Sequence, residues 1–292
     1  MLTAWLKSLV LLLGVCVLSL WVWQQQTLHF SAGWNFYLLP GAALSLLSFV
    51  CFALRFRCVA RVVGHQLECI EALRIASFAL FGQFVLPLAA GADLTKFAKL
   101  RARAPQRRAI AGAAGIVLEH VLGLAAIGLV VTVLMIVFQP VMLRSARGVA
   151  VAGGLVLLAV GGVALLWARP PWRADAAHLL AQIGAHKCDL VTAMAYSLAM
   201  QLLLAAAVYV GSCGWGLGIP YWQVLLVQAS AGVLQAIPLS VAGVGVTDVA
   251  GSGLYLALGQ PWPAAVLLVS LLYSYRLLVS LLGGLWEAQA LR

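Results

Sequence analysis

Apolar residues run along the chain in long blocks parted by short polar segments. Six blocks are long enough to cross a bilayer as helices: residues 6–23, 34–54, 109–138, 148–167, 190–211 and 264–286. About 20 residues rising 1.5 Å each traverse the ~30 Å hydrocarbon layer. The first block carries Lys7 and has no small-residue cleavage site after it, so it reads as an uncleaved span rather than a signal peptide. Two further apolar segments break this pattern. Residues 75–90 are too few to cross easily, and Pro87 and Gly91 interrupt the stretch just before Asp93. Residues 222–258 are numerous enough, but Pro238, Gly243, Gly245, Gly251 and Gly253 interrupt them.

The loops set the orientation. Residues 24–33 hold no Lys or Arg and read as outside. Residues 55–74 hold four arginines and residues 96–108 six bases, so both read as inside loops. The segment between them therefore enters and leaves on one side, as a re-entrant hairpin. Residues 139–147 then lie outside, although they include Arg144 and Arg147, and residues 169–187 lie inside. The uncharged stretch 211–222 is outside, so residues 222–258 form a second hairpin, entered from the opposite face. The order is span, span, hairpin, span, and then the same inverted. This predicts an all-α polytopic integral membrane protein of about six transmembrane helices plus two re-entrant, broken hairpins. It is a single transmembrane domain over residues 1–292, built as an inverted-topology repeat of residues 1–138 and 148–292.

Composition agrees with this. Hydrophobic residues make up 64% of the 292 and charged ones 9%, against about 25% charged in soluble domains. The net charge is +10, and ten of the eighteen bases lie between Arg55 and Arg108. Such bases in short loops between spans mark topology, and they attract anionic headgroups; they do not point to nucleic acid. The six cysteines are scattered without a CxxC and read as apolar filler, so neither a disulfide nor a metal site is expected. Trp21, Trp23, Trp34, Tyr37, Tyr221, Trp222 and Trp262 suit an interfacial belt.

Breaking a helix inside hydrocarbon frees backbone groups. Proline removes a donor and crowds the preceding turn, and glycine lets the chain bend. Such backbone is tolerated only against protein or a wet cavity. Two matched breaks thus predict a polar cavity near mid-membrane, where half-helix ends hold an anionic substrate.

The ionisable residues near these breaks are the candidate site. Asp93 reads either as a helix cap or as a carboxylate at the cavity mouth, and Asp248 holds the related place after the second break. Glu119 and His120 lie about ten residues into a span, and Arg276 about a dozen into the last. A membrane-buried carboxylate needs a partner or a proton, and Arg276 is the natural candidate partner for Glu119. Lys96, Lys99, Arg101, Arg103, Arg107 and Arg108 form a cationic face, either a topology signal or a phosphate binder. No GxxxxGK[ST] and no HExxH occur, so neither a nucleotide-driven pump nor a zinc hydrolase is indicated.

The stretches "GQFVLPLAAGADLTKFAKLR", "VLEHVLGL" and "IPLSVAGVGVTDV" resemble the membrane domain of lysylphosphatidylglycerol synthases, which also occurs as stand-alone flippase-like proteins. The resemblance covers the chain from about Arg55 onward. The family has Pro, then Gly-Gly-Asp, then Arg, where this chain has Pro87, Gly91-Ala92-Asp93 and Lys96. It has Glu-Arg where this chain has Glu119-His120, and Gly-x-Gly-x-x-Glu where Gly243, Gly245 and Asp248 stand.

The resemblance implies movement of a lipid between leaflets of the bacterial inner membrane; the loop charges put both termini of this multi-pass protein on the cytoplasmic side. The lipid is a phospholipid, a polyprenyl-phosphate-linked lipid or a hopanoid-type lipid. Asp93, Lys96, Glu119, His120, Asp248 and Arg276 are the residues expected to bind it or couple protons. No cofactor is expected. Partners are the lipid and a lipid-modifying or glycosyl-transfer enzyme. The alternatives are an integral-membrane transferase acting on a lipid-linked substrate and a non-transporting scaffold of a synthase.

Overall fold

A computed structural model describes residues 34–85, 91–103, 109–142, 184–234, 240–241 and 244–290. Its helices are α1 (Trp34–Val62), α2 (Cys69–Val85), α3 (Gly91–Arg103), α4 (Ala109–Met142), α5 (Lys187–Gly214), α6 (Tyr221–Leu234), α7 (Val246–Ala257) and α8 (Trp262–Ala290). Four stretches within them are long and apolar enough to cross a membrane: Phe36–Val62, Gly112–Phe138, Lys187–Gly214 and Trp262–Gln289. The protein is a helical, polytopic membrane protein. The expected spans at residues 6–23 and 148–167 lie outside the described residues.

The second expected break is seen: between α6 and α7 the backbone forms two short strands. The first falls on residues 86–90, outside the described residues, between the described ends of α2 and α3. As described, these helices have 17, 13, 14 and 12 residues, about 18–26 Å at 1.5 Å per residue, short of the ~30 Å layer. Gly91 opens α3 and is buried. Pro87, Pro238 and Gly243 lie outside the described residues. Gly245 belongs to a two-residue antiparallel ladder, β1 (Ser240–Val241) with β2 (Val244–Gly245), in which it pairs with Ser240. That ladder gives backbone groups in the break a partner, as a low-dielectric setting demands.

The structure corrects the loop reading. Helix α1 runs on to Val62, so Arg55, Arg57 and Arg61 ride on a helix, and Arg74 sits on α2. The reason is periodicity: Ser48, Cys51, Arg55, Val59 and Val62 are all buried at helical spacing, and that stripe continues through the basic stretch. The true link is residues 63–68, where Arg57 Nε donates to the Leu67 carbonyl at 2.9 Å. Residues 96–103 of the other supposed loop are helical too; Arg107 and Arg108 lie outside the described residues.

The largest seam joins α1 to α5. Each hairpin packs its two legs together, α2 on α3 and α6 on α7, and the second leg meets the following span, α3 on α4 and α7 on α8. The first legs pack crosswise: α2 against α8, and α6 against α4. The main apolar core gathers where α4 to α8 meet, around Val208, Val224, Tyr255 and Leu268. At the far end of α4, Phe138 leaves helical geometry (φ −106°, ψ 15°) and stacks on Trp222 with centroids 4.9 Å apart. Pro140, two residues on, cannot donate to the preceding turn.

Close contacts rest on missing side chains. A Cβ at Gly82 of α2 would lie 2.3 Å from Thr95 Oγ1 of α3. One at Gly283 of α8 would lie 2.4 Å from the Ser77 carbonyl carbon and oxygen of α2. With no hydrophobic drive between helices in lipid, such backbone approach supplies the packing energy. Gly283→Val should therefore destabilise the protein by about 1–3 kcal/mol through overpacking, seen as a lower thermal midpoint in detergent. Gly253→Ala, where nothing lies within 4 Å of the new Cβ, should leave the midpoint unchanged or raise it.

Candidate functional site

The centre of the charged interior is Glu119 on α4. Lys96 Nζ of α3 donates to both its oxygens, at 2.8 and 2.9 Å, and Arg55 Nη2 of α1 donates to Oε1 at 2.8 Å. Lys96 is 2% exposed, Glu119 3% and Arg55 7%, so two cations share one carboxylate away from solvent. Aromatic faces take up part of the surplus: Lys96 Nζ lies 4.2 Å from the Phe52 ring centroid and 5.1 Å from that of Phe56, and the Arg55 guanidinium 5.2 Å from Phe52. Among the described residues, Arg55 Nε has no hydrogen-bond partner.

Helix α3 explains how Lys96 gets inside. Gly91, Lys96 and Leu100 form its buried side, while Leu94, Arg101 and Arg103 are exposed. The bases of the expected cationic face are therefore divided. Lys96 meets Glu119, Lys99 meets Glu287, and Arg103 meets Glu71. Of the expected set, Arg101 stands on the open side of α3. Glu287, near the end of α8, also accepts from Arg74 Nε at 3.0 Å. A second arrangement of two cations on one buried carboxylate thus ties α8 to α2 and α3. Between α2 and α3 lies an apolar groove of about 540 Å³ whose lining includes Phe78, Leu94, Ala98 and Lys99.

Two acid–base pairs occupy related places. Asp93 is the third residue of α3, and its Oδ2 lies 2.9 Å from Nε2 of His120 on α4. Both side chains are part-exposed. Asp248 is the third residue of α7, and its charge acts on Arg276 and Tyr273 of α8. Asp93 thus does not serve only its own helix end; it reaches the next span.

The structure corrects the pairing expected of Glu119. Its partners are Lys96 and Arg55, and Arg276 works with Asp248. The reason is the crosswise packing: α4 lies against α6 and α5, and α8 against α2 and α7. Arg55, Arg74 and Glu287 were missing from the sequence-derived set. The signal for Arg55 was its register on the apolar stripe of α1; Glu287 showed only as a single acid near the end of a span.

Removing one member of a buried ion group leaves the others uncompensated, at about 3–5 kcal/mol. Glu119→Gln should lower stability by that amount in thermal or denaturant unfolding. Adding Lys96→Met should recover part of the loss, a non-additivity a double-mutant cycle measures.

A model of the lysylphosphatidylglycerol synthase TM region matches residues 5–284 of the chain. No curated protein and no solved structure matched it. The matched segment takes in every described helix except the last turns of α8, and with them the buried Glu119 group and both acid–base pairs. The chain belongs to the family of the lysylphosphatidylglycerol synthase TM region.

Proposed function

We propose that the protein is a lipid transporter, not an enzyme, and moves a lipid with an anionic or phosphate-linked headgroup between the leaflets of a bacterial inner membrane. The observation that carries this reading is the recurrence of an acid at the third residue of each second hairpin leg, engaged with a base on the following span. Asp93 and His120 are 27 residues apart, and Asp248 and Arg276 are 28 apart.

The helix packing supports the same reading. Exchanging α1 with α5, α2 with α6, α3 with α7 and α4 with α8 turns each packed helix pair named above into another packed pair. Two halves, residues 1–138 and 148–292, related by an approximate twofold axis would give this. With an odd number of crossings per half, the axis lies in the membrane plane, the arrangement of transporters whose half-helices meet at a central site. The family's printed association with lysylphosphatidylglycerol synthase makes a phospholipid the first substrate to try. The apolar groove beside Lys99 suits an acyl chain whose headgroup lies at the basic end. Without a nucleotide-binding motif, transport runs down a gradient or as facilitation.

The test is a headgroup-accessibility assay in proteoliposomes with a fluorescent anionic phospholipid. Wild type should exceed empty liposomes, and Asp248→Asn and Arg276→Gln should each slow transfer about tenfold or more, as expected for losing one of two opposite charges in a low-dielectric interior. Transfer by wild type equal to that of empty liposomes rejects the reading.

A further inference from the structure

We infer that Arg55 and Lys96 form a binding site for a phosphate oxyanion, with Glu119 as the anchor that holds the two cations in place. Three observations point there. The first is charge. The pairs Asp93–His120 and Glu71–Arg103 join one acid to one base, whereas Arg55, Lys96 and Glu119 join two bases to one acid in a site nine-tenths or more buried. A surplus positive charge in such surroundings is costly, and an anion cancels it.

The second observation is the free donor. Arg55 commits Nη2 to Glu119, while its Nε has no partner among the described residues. A guanidinium grips phosphate with a planar fork of N–H groups, so a buried, unused N–H on an otherwise anchored arginine is a place for an oxyanion oxygen. The third is the neighbouring turn. Arg55 Nη1 lies over Gly123 of α4, where an added Cβ would touch it at 3.4 Å. Gly123 is one turn beyond Glu119, so the span that holds the anchor presents no side chain of its own beneath the guanidinium at that turn. Lys96 is held by both Glu119 oxygens, so Arg55, attached by one bond, is the group able to turn toward an incoming ligand.

The ligand chemistry is a tetrahedral phosphate carrying one or two negative charges. It comes from a phospholipid headgroup or from free phosphate. The lipid source rests on the transport reading above; the phosphate site itself does not.

The experiment uses the purified full chain in nonionic detergent and reads the shift in thermal midpoint on titration with phosphatidylglycerol, phosphatidylcholine or inorganic phosphate. Wild type and Lys187→Gln, which removes an exposed base at the start of α5, should both be stabilised by phosphatidylglycerol or phosphate. Arg55→Gln should bind at least about tenfold more weakly. It should still fold, because Lys96 and Glu119 remain as a one-to-one pair. Arg55→Lys keeps the charge without the fork, and should weaken binding less than Arg55→Gln does.

Stabilisation by phosphatidylglycerol alone assigns the site to a lipid headgroup, and stabilisation by phosphate alone assigns it to the free anion. Equal affinity in wild type and Arg55→Gln, or no shift with either phosphate source, overturns the proposal. Arg55→Gln that loses binding but transports at the wild-type rate removes the lipid source and leaves the transport reading intact. Loss of transfer in Asp248→Asn with phosphate binding retained leaves this site standing.

Discussion

A carboxylate in a low-dielectric interior has to be neutralised where it stands, and much of this structure follows from how Glu119 meets that demand. Its cations come from two other elements, Arg55 on the first described span and Lys96 on the second leg of a hairpin. One charge requirement therefore fixes three helices relative to one another. The hairpin leg is too short to cross the membrane and has no span of its own to register it. Its depth and rotation are set by charge contacts along its length: Lys96 with Glu119, supported on the Phe52 and Phe56 rings, Asp93 with His120 and Lys99 with Glu287.

The same device recurs at the end of α8, where Glu287 takes Arg74 from α2 and Lys99 from α3. The first hairpin is thus held by charge at two places, once inward to α4 and once sideways to α8. The second hairpin is held differently. Its described legs lie in the main apolar core, around Val224 and Tyr255, and the charge of Asp248 acts on Arg276. The two hairpins share their packing partners and differ in what secures them. The basic residues crowd into the first half, which explains why one hairpin is electrostatic and the other mostly apolar.

The break between α6 and α7 could be read from the sequence because proline and glycine act on the backbone locally. The signal is a cluster rather than one residue: Pro40 lies inside α1, which runs on past it. The ends of α1 and α3 could not be read the same way. A run of arginines looks like a loop when charge alone is weighed, and only the continuing stripe of Ser48, Cys51, Val59 and Val62 shows that the helix goes on. The acids Asp93, Glu119 and Asp248 were recognisable as unusual in an apolar setting. Their partners were not, because a pairing across 64 residues, such as Arg55 with Glu119, depends on which helices cross. The likeness between Glu119 and Arg276 as membrane-embedded opposite charges suggested a bond, whereas Glu119 takes Lys96 and Arg55.

The contact of Gly283 with Ser77 has a mechanical meaning. Sliding α8 along α2 by one helical turn, about 5.4 Å, would bring Val279 or Ser280, or in the other direction Trp286 or Glu287, onto the Ser77 carbonyl that Gly283 now meets at van der Waals range. Each of these carries the Cβ that the spot has no space for. The pair has a single permitted register, so α2 and α8 travel together as a strut, and relative movement between them is confined to pivoting about that glycine.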